Sequence, residues 1–266
     1  MVEFLYRADY RALARHLDDH REIESAVVGS LLYGPWDKVA VETDLDRDMP
    51  HLRWVNPARA LIFTSGPSTR LYLQHEGQRH PIIQSYLEQA DPLSAPVGME
   101  GFQLPMSVAQ PEPPYLTEDC DGRSLADQPF DNTLSLSAVE VDNGKSAEHL
   151  TLTLWWDVRR RPSLPSEQLI PNPPPPGVYR GPRLKVFVHS THGSPETVLD
   201  VDDGIGIDPY TLREGDIWLQ VHELKKPESQ LENPRIRIGV YDPKNGSRWT
   251  LPGGRDAIWI CVSEGQ

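Results

Sequence analysis

Apolar residues open the chain at helical spacing. Leu5, Ala8, Ala12, Leu13, His16 and Leu17 recur at the interval that predicts a helix over residues 2–20. The short apolar run 26–32 suits a buried strand. Residues 36–45 predict a second short helix, followed by an acidic turn through Asp44, Asp46 and Asp48. The runs 52–55, 60–63 and 70–73 predict three more strands. Pro81 opens a further helix to Gln89, with Ile82, Ile83, Tyr86 and Leu87 on one face. Helices alternating with apolar strands predict a small α/β domain over 1–93.

The pattern then changes. Residues 94–131 carry Pro96, Pro105, Pro111, Pro113 and Pro114, and read as a linker with one strand near 101–104. From 132 the alternation has period two. It marks strands at 133–139, 150–158, 184–189, 217–221, 236–241 and 257–262. Strands that bury one face, with no helices between them, predict a sandwich over 132–266 rather than a βαβ sheet. The fold class expected is therefore α+β and multidomain: a small α/β domain, then an antiparallel jelly-roll-like β-sandwich. Asn245-Gly246 marks a tight turn, because this pair accepts positive φ. The interruption 159–182 contains four consecutive prolines, Pro173–Pro176, expected as an extended polyproline II segment. Its two readings are a solvated loop and a ligand for an aromatic-lined groove.

Length and charge bound the rest. A chain of 266 residues can hold two domains. Its 26 prolines are about twice the usual share, in keeping with long irregular connections. A net charge of −13 disfavours nucleic acid and anionic lipid as partners, and leaves room for neutral or cationic ligands. No stretch approaches the roughly 20 apolar residues of a transmembrane helix. Glu3, Arg7 and Asp9 interrupt the first ten residues, so no signal peptide is read there. A bond between Cys120 and Cys261 is compatible with the sequence, but spacing alone does not decide it.

The candidate chemistry is sparse. Asp200, Asp202 and Asp203, followed by Gly204, resemble the first half of a calcium loop. Tyr210 stands where the closing glutamate of that loop belongs, so a solvated turn is the competing reading. Calcium is the one cofactor the sequence offers. His189 and His192 lie at a strand end without metal-spaced partners. His16 and His20 have the separation for a shared metal but lack the intervening glutamate base. There is no nucleophile elbow, and Gly204-x-Gly206 lacks the third glycine and the helix of a phosphate loop. Trp155 and Trp156 are neighbours in one strand, so their side chains point to opposite faces. With Trp218 they are the candidates for stacking on sugar rings. Core packing is the alternative for all three.

Several stretches resemble a known tail. Residues 51–63, with Arg53-Trp54 and Arg59-Ala60-Leu61, resemble its "strand, Arg-Trp, turn, Arg-Ala-Leu, strand" segment. Residues 150–156, 184–189, 213–216 and 235–248 resemble its later strands and closing hairpin. The family is that of bacterial membrane glycosyltransferases of the protein-mannosyltransferase-like (dolichyl-phosphate-mannose) type. In that family, carboxylates in the loop after the first transmembrane helix do the chemistry. No part of this chain resembles that region. The insertion 159–182 and the stretch 200–208 also depart from the family pattern. The resemblance implies a noncatalytic accessory region on the extracytoplasmic side, holding a glycan or acceptor near a membrane-bound glycosyltransferase. Without the resemblance, the lack of a leader reads as cytoplasmic. The alternatives are a partner-docking sandwich without sugar binding, and a metal-dependent enzyme built on Asp202 and Asp203.

Overall fold

The computed structural model describes residues 8–30, 35–46, 51–110, 115–142, 149–165, 181–191, 197–225 and 235–262. The polyproline run Pro173–Pro176, Leu5 and His192 fall outside them. The chain folds into two compact units. Of the described residues, the first holds those up to Gln110, with Gly181 and Gly206–Leu212. The second holds Pro111–Glu167, Pro182–Ile205 and Arg213–Gln266.

In the first unit the elements are α1 (Ala8–Asp19), β1 (Ser25–Gly29), α2 (Pro35–Asp44), β2 (His51–Val55) and β3 (Ala60–Phe63). They continue with β4 (Ser68–Gln74), α3 (Pro81–Leu87), β5 (Asp91–Leu93) and β6 (Met99–Pro105). The sheet order is β2-β1-β4-β6-β5, with β1 parallel to both β2 and β4. Parallel strands need helical crossovers that cover the sheet, so β1 is buried along nearly its whole length. The buried face of α1 is Tyr10, Leu13, Ala14 and Leu17. It uses Tyr10 and Ala14 where the periodicity predicts Ala8 and Ala12. These four residues pack on Ala26, Val28, Leu52, Trp54 and Tyr72. His80 caps α3 by accepting the Ile82 amide through its ring nitrogen, one position before the N-terminal proline.

The span 94–131 does not behave as one linker. Strand β6 pairs with β4 at seven consecutive positions, from Ser68 opposite Pro105 to Gln74 opposite Met99. Beyond it, residues 115–131 belong to the second unit, where Leu125 and Phe130 are fully buried. Prolines at the ends of these segments hide their regularity from a periodicity reading.

The second unit is a β-sandwich of antiparallel sheets. Its strands are β7 (Leu134–Asp142), β8 (His149–Val158), β9 (Lys185–Thr191), β10 (Val198–Val201), β11 (Ile217–Lys225), β12 (Arg235–Tyr241) and β13 (Ile258–Cys261). One sheet runs β10-β9-β12-β13; in the other, β8 lies between β7 and β11. Alternation fixes the register: Ile236, Ile238 and Val240 face inward, as do Val186 and Val188 on the neighbouring strand. The Asn245-Gly246 turn forms as expected. Gly246 has φ +72°, and its amide donates to the Asp242 carbonyl at 2.8 Å. A disulfide joins Cys120 to Cys261 across 141 positions, with Cα atoms 5.2 Å apart. The Cys120 amide also donates to the Trp259 carbonyl at 2.8 Å, so the loop before β7 is fastened to the last strand twice.

Candidate functional site

Trp155, Trp156 and Trp218, the indoles expected to stack on sugars, are 1%, 0% and 0% exposed. Trp156 and Trp218 face each other across β8 and β11, stacked at 5.2 Å with planes 18° apart, and Phe130 closes on Trp156 at 6.0 Å. Trp155, on the other side of the strand, is covered as well, because β8 is buried on both faces along its second half. None of the three offers a ring face to a saccharide. They are core aromatics.

The aspartates of the acidic run do not converge on one point. Asp200 accepts the Lys225 amide at 2.7 Å, and Asp202 accepts the Glu223 amide at 3.1 Å. Alternate side chains of β10 and the residue after it thus meet alternate amides of β11, because extended chain repeats every two residues. Asp202 also lies 3.3 Å from Nδ1 of the buried His222. Asp203 turns the other way, accepting from the Tyr241 hydroxyl and pairing with His189, both at 3.0 Å. Among the described residues no group of three or more His, Cys, Asp or Glu side chains is placed to hold a metal ion. The alternation that resembles a calcium loop ties an edge strand to the opposite sheet.

A different surface carries the densest interacting chemistry. On the outward face of β10-β9-β12-β13, the register aligns Val201, His189, Arg237 and Trp259 in one cross-strand row. Phe187 lies one step along β9, opposite Gly239. A Cβ at Gly239 would come 2.3 Å from the Phe187 ring and 2.6 Å from the Asp256 carbonyl, so only glycine lets the ring lie on the sheet. The Arg237 guanidinium is 5.4 Å from the Phe187 centroid and 5.7 Å from that of Trp259. Arg248, delivered by the hairpin that pairs Tyr241 with Arg248, lies 4.9 Å from Phe187. Asp256 joins both guanidiniums: it accepts from Arg237 at 2.8 and 3.0 Å, and from Arg248. The result is a layered arrangement of aromatic rings and arginines, fixed by cation–π contacts and one shared carboxylate.

Its electrostatics follow from these contacts. Desolvation pushes the Asp256 carboxyl up, but the hydrogen bonds and charges of Arg248 and Arg237 outweigh it and hold its pKa below the ordinary value. Desolvation likewise raises Asp203, and the hydrogen bonds from His189 and Tyr241 outweigh it. The Tyr241 phenol is pushed up to about 12, first by desolvation and then by the Asp203 charge and hydrogen bond. At neutral pH both carboxylates are ionised and the phenol is a donor. Trp259 and Tyr241 remain partly exposed, and Arg248 is 39% exposed at its side chain.

Three other polar clusters are more self-contained. A cavity of about 490 Å³ in the second unit is lined by Arg123, Ser124, Asp127, Gln128, Arg255 and the Pro252-Gly253 turn. Its two guanidiniums share the buried carboxylate of Asp119, and Arg123 also pairs with Asp121. In the first unit, at the C-terminal end of β1, the Ser30 hydroxyl donates to Asp37, while Lys38 pairs with Asp208 at 3.4 Å. Burial raises the pKa of Asp208 and of Glu42, and Lys38 opposes both shifts. Asp208 accepts the Tyr210 amide as well, so this cluster pins a turn. His16 and His20 bring their rings to 4.5 Å, with His16 also 3.4 Å from the Tyr72 hydroxyl and His20 paired with Glu22.

The sequence points to tryptophans of β8 and β11 rather than to Trp259, Arg237 and Phe187. The signal available for the latter group is parity: Arg237 and Tyr241 occupy alternate positions opposite the apolar set of their strand. Among the described residues, no helix is long and apolar enough to cross a membrane. Comparison with protein-family models, with curated proteins and with solved structures finds no match to this chain.

Proposed function

We propose that this chain is a noncatalytic accessory region that binds glycan through the outward face of the β10-β9-β12-β13 sheet. The observation that carries the reading is the row His189, Arg237, Trp259 with Phe187 and Tyr241 beside it, on one face of a β-sandwich. A partly exposed indole presents a π surface to the C–H face of a sugar ring. Fixed guanidinium, carboxylate and phenol groups around it supply hydrogen bonds to hydroxyls without the entropy cost of ordering them on binding. The sandwich is of the jelly-roll-like kind in this reading. The setting is the extracytoplasmic side of a membrane, next to a glycosyltransferase of the protein-mannosyltransferase-like type. The Cys120–Cys261 disulfide supports an oxidising compartment. A module of this sort works by raising the local concentration of acceptor near an active site.

Titration with a panel of cell-wall and exopolysaccharide fragments tests the reading, with intrinsic tryptophan fluorescence as the signal. The expected result is saturable binding by at least one fragment, lost in Trp259→Ala while thermal melting is retained. Recovery of a stable membrane protein complex with no saccharide dependence, and no fluorescence response to any fragment, would favour the partner-docking alternative.

A further inference from the structure

Among its described residues, the candidate face carries more cations than anions, the reverse of the whole chain. Its rows and the adjoining segment 248–256 carry Lys185, Arg235, Arg237 and Arg248 together with Asp203 and Asp256; Lys185 acts on Asp203, and Arg237 and Arg248 pair with Asp256. Among the described residues of this face, four cations stand with two anions, within a chain of net charge −13. The cavity at Arg123 and Arg255 shows no such excess, since Asp119, Asp121 and Asp127 surround its two guanidiniums. Arg248 is the exposed end of the arrangement. It meets Asp256 and the Phe187 ring, and a guanidinium has five N–H donors to share between its partners.

We infer that the saccharide bound here is acidic, carrying a carboxylate that pairs with Arg248 while a sugar ring packs on Trp259. This inference rests on the glycan-binding reading above and names its ligand class. The guanidinium fork is planar and matches a carboxylate in bidentate geometry. The Phe187 ring beneath Arg248 limits the motion that such a pairing would otherwise have to freeze. The bulk charge of the chain opposes an anionic ligand. That field is screened over about 8 Å at physiological ionic strength, so groups in direct contact decide the sign.

The test compares an oligogalacturonate with its methyl ester, which keeps the ring and removes the charge, by calorimetry on the full chain. The acid is expected to bind at least tenfold more tightly, and added salt should narrow that ratio. If bulk repulsion governed instead, salt would strengthen binding of the acid, and the inference would be wrong. Arg248→Gln should bring the two ligands to equal affinity, and Arg248→Lys should restore part of the preference. A sulfated oligosaccharide serves as the third arm. Binding of the sulfated ligand in preference to the uronate would overturn the carboxylate assignment. Equal binding of acid and ester by the unaltered chain removes the acidic class but leaves glycan binding standing. No binding by either, or by the fragment panel, removes both.

Discussion

Gly239 lies directly across the strand from Phe187, and the ring occupies the space a side chain at 239 would need. One of the crowding atoms is the Asp256 backbone carbonyl, which cannot rotate aside. The glycine therefore sets the height of the whole aromatic–arginine layer. Gly239→Ala should destabilise the second unit by about 1–3 kcal/mol, the usual range for forced overpacking. Chemical denaturation checks this: an unchanged midpoint would show that the ring can move without cost.

The Cys120–Cys261 bond closes a loop spanning 141 positions. Loss of a native disulfide typically costs about 2–5 kcal/mol, largely through a less constrained unfolded chain in the entropic account. The melting temperature should fall under reductant. A Cys120→Ala/Cys261→Ala variant should melt at the lowered temperature and stop responding to reductant. Equal melting with and without reductant in the parent chain would mean that the bond contributes nothing.

Asp200 and Asp202 hold β10 and its C-terminal extension against amides of β11. Asp202→Ala removes one amide partner and the carboxylate beside buried His222, and should cost roughly 1–3 kcal/mol. Calcium should leave the melting curve of the parent chain unchanged. A calcium-dependent rise abolished by Asp202→Ala would revive the metal reading.

The titration of Tyr241 has a defined sign. Its folded-state pKa, about 12, lies above the ordinary phenol value near 10.0, so the unfolded chain ionises first. Stability from this group is present below about 10 and is lost as pH rises through the folded value. Ultraviolet absorbance should show a late-titrating phenol that Tyr241→Phe removes. The acid side runs the other way. Asp203 and Asp256 have lowered folded values, so their stabilisation is present above the unfolded carboxylate range and lost as pH falls through the folded values. Asp256→Asn should flatten that acid limb of a urea-midpoint profile.

Much of the architecture is legible in alternation alone. The strands around Leu152, Val186, Val221 and Ile238 form where period-two patterning predicts them, because a half-buried strand must alternate. Strand β6 is only partly legible, since Pro96 and Pro105 read as linker while the strand between them pairs fully with β4. Trp155 misleads for a physical reason: a central strand can be covered on both faces, so parity in such a strand does not imply exposure. The candidate face is hidden because it depends on contacts between strands distant in sequence. Phe187 finds Gly239 and Arg248, and Arg237 finds Trp259, only once the register is set. The same holds for the disulfide, which needs geometry rather than spacing.

If the outward sheet face, and not the buried indoles, meets the ligand, the tryptophans must respond differently to it. Indole N–H resonances report each tryptophan separately during a titration with acidic oligosaccharide. The expected result is a saturable shift of the Trp259 signal, with those of Trp155, Trp156 and Trp218 nearly still. Shifts confined to the three buried indoles, or none at all with any saccharide, would contradict glycan binding at this face.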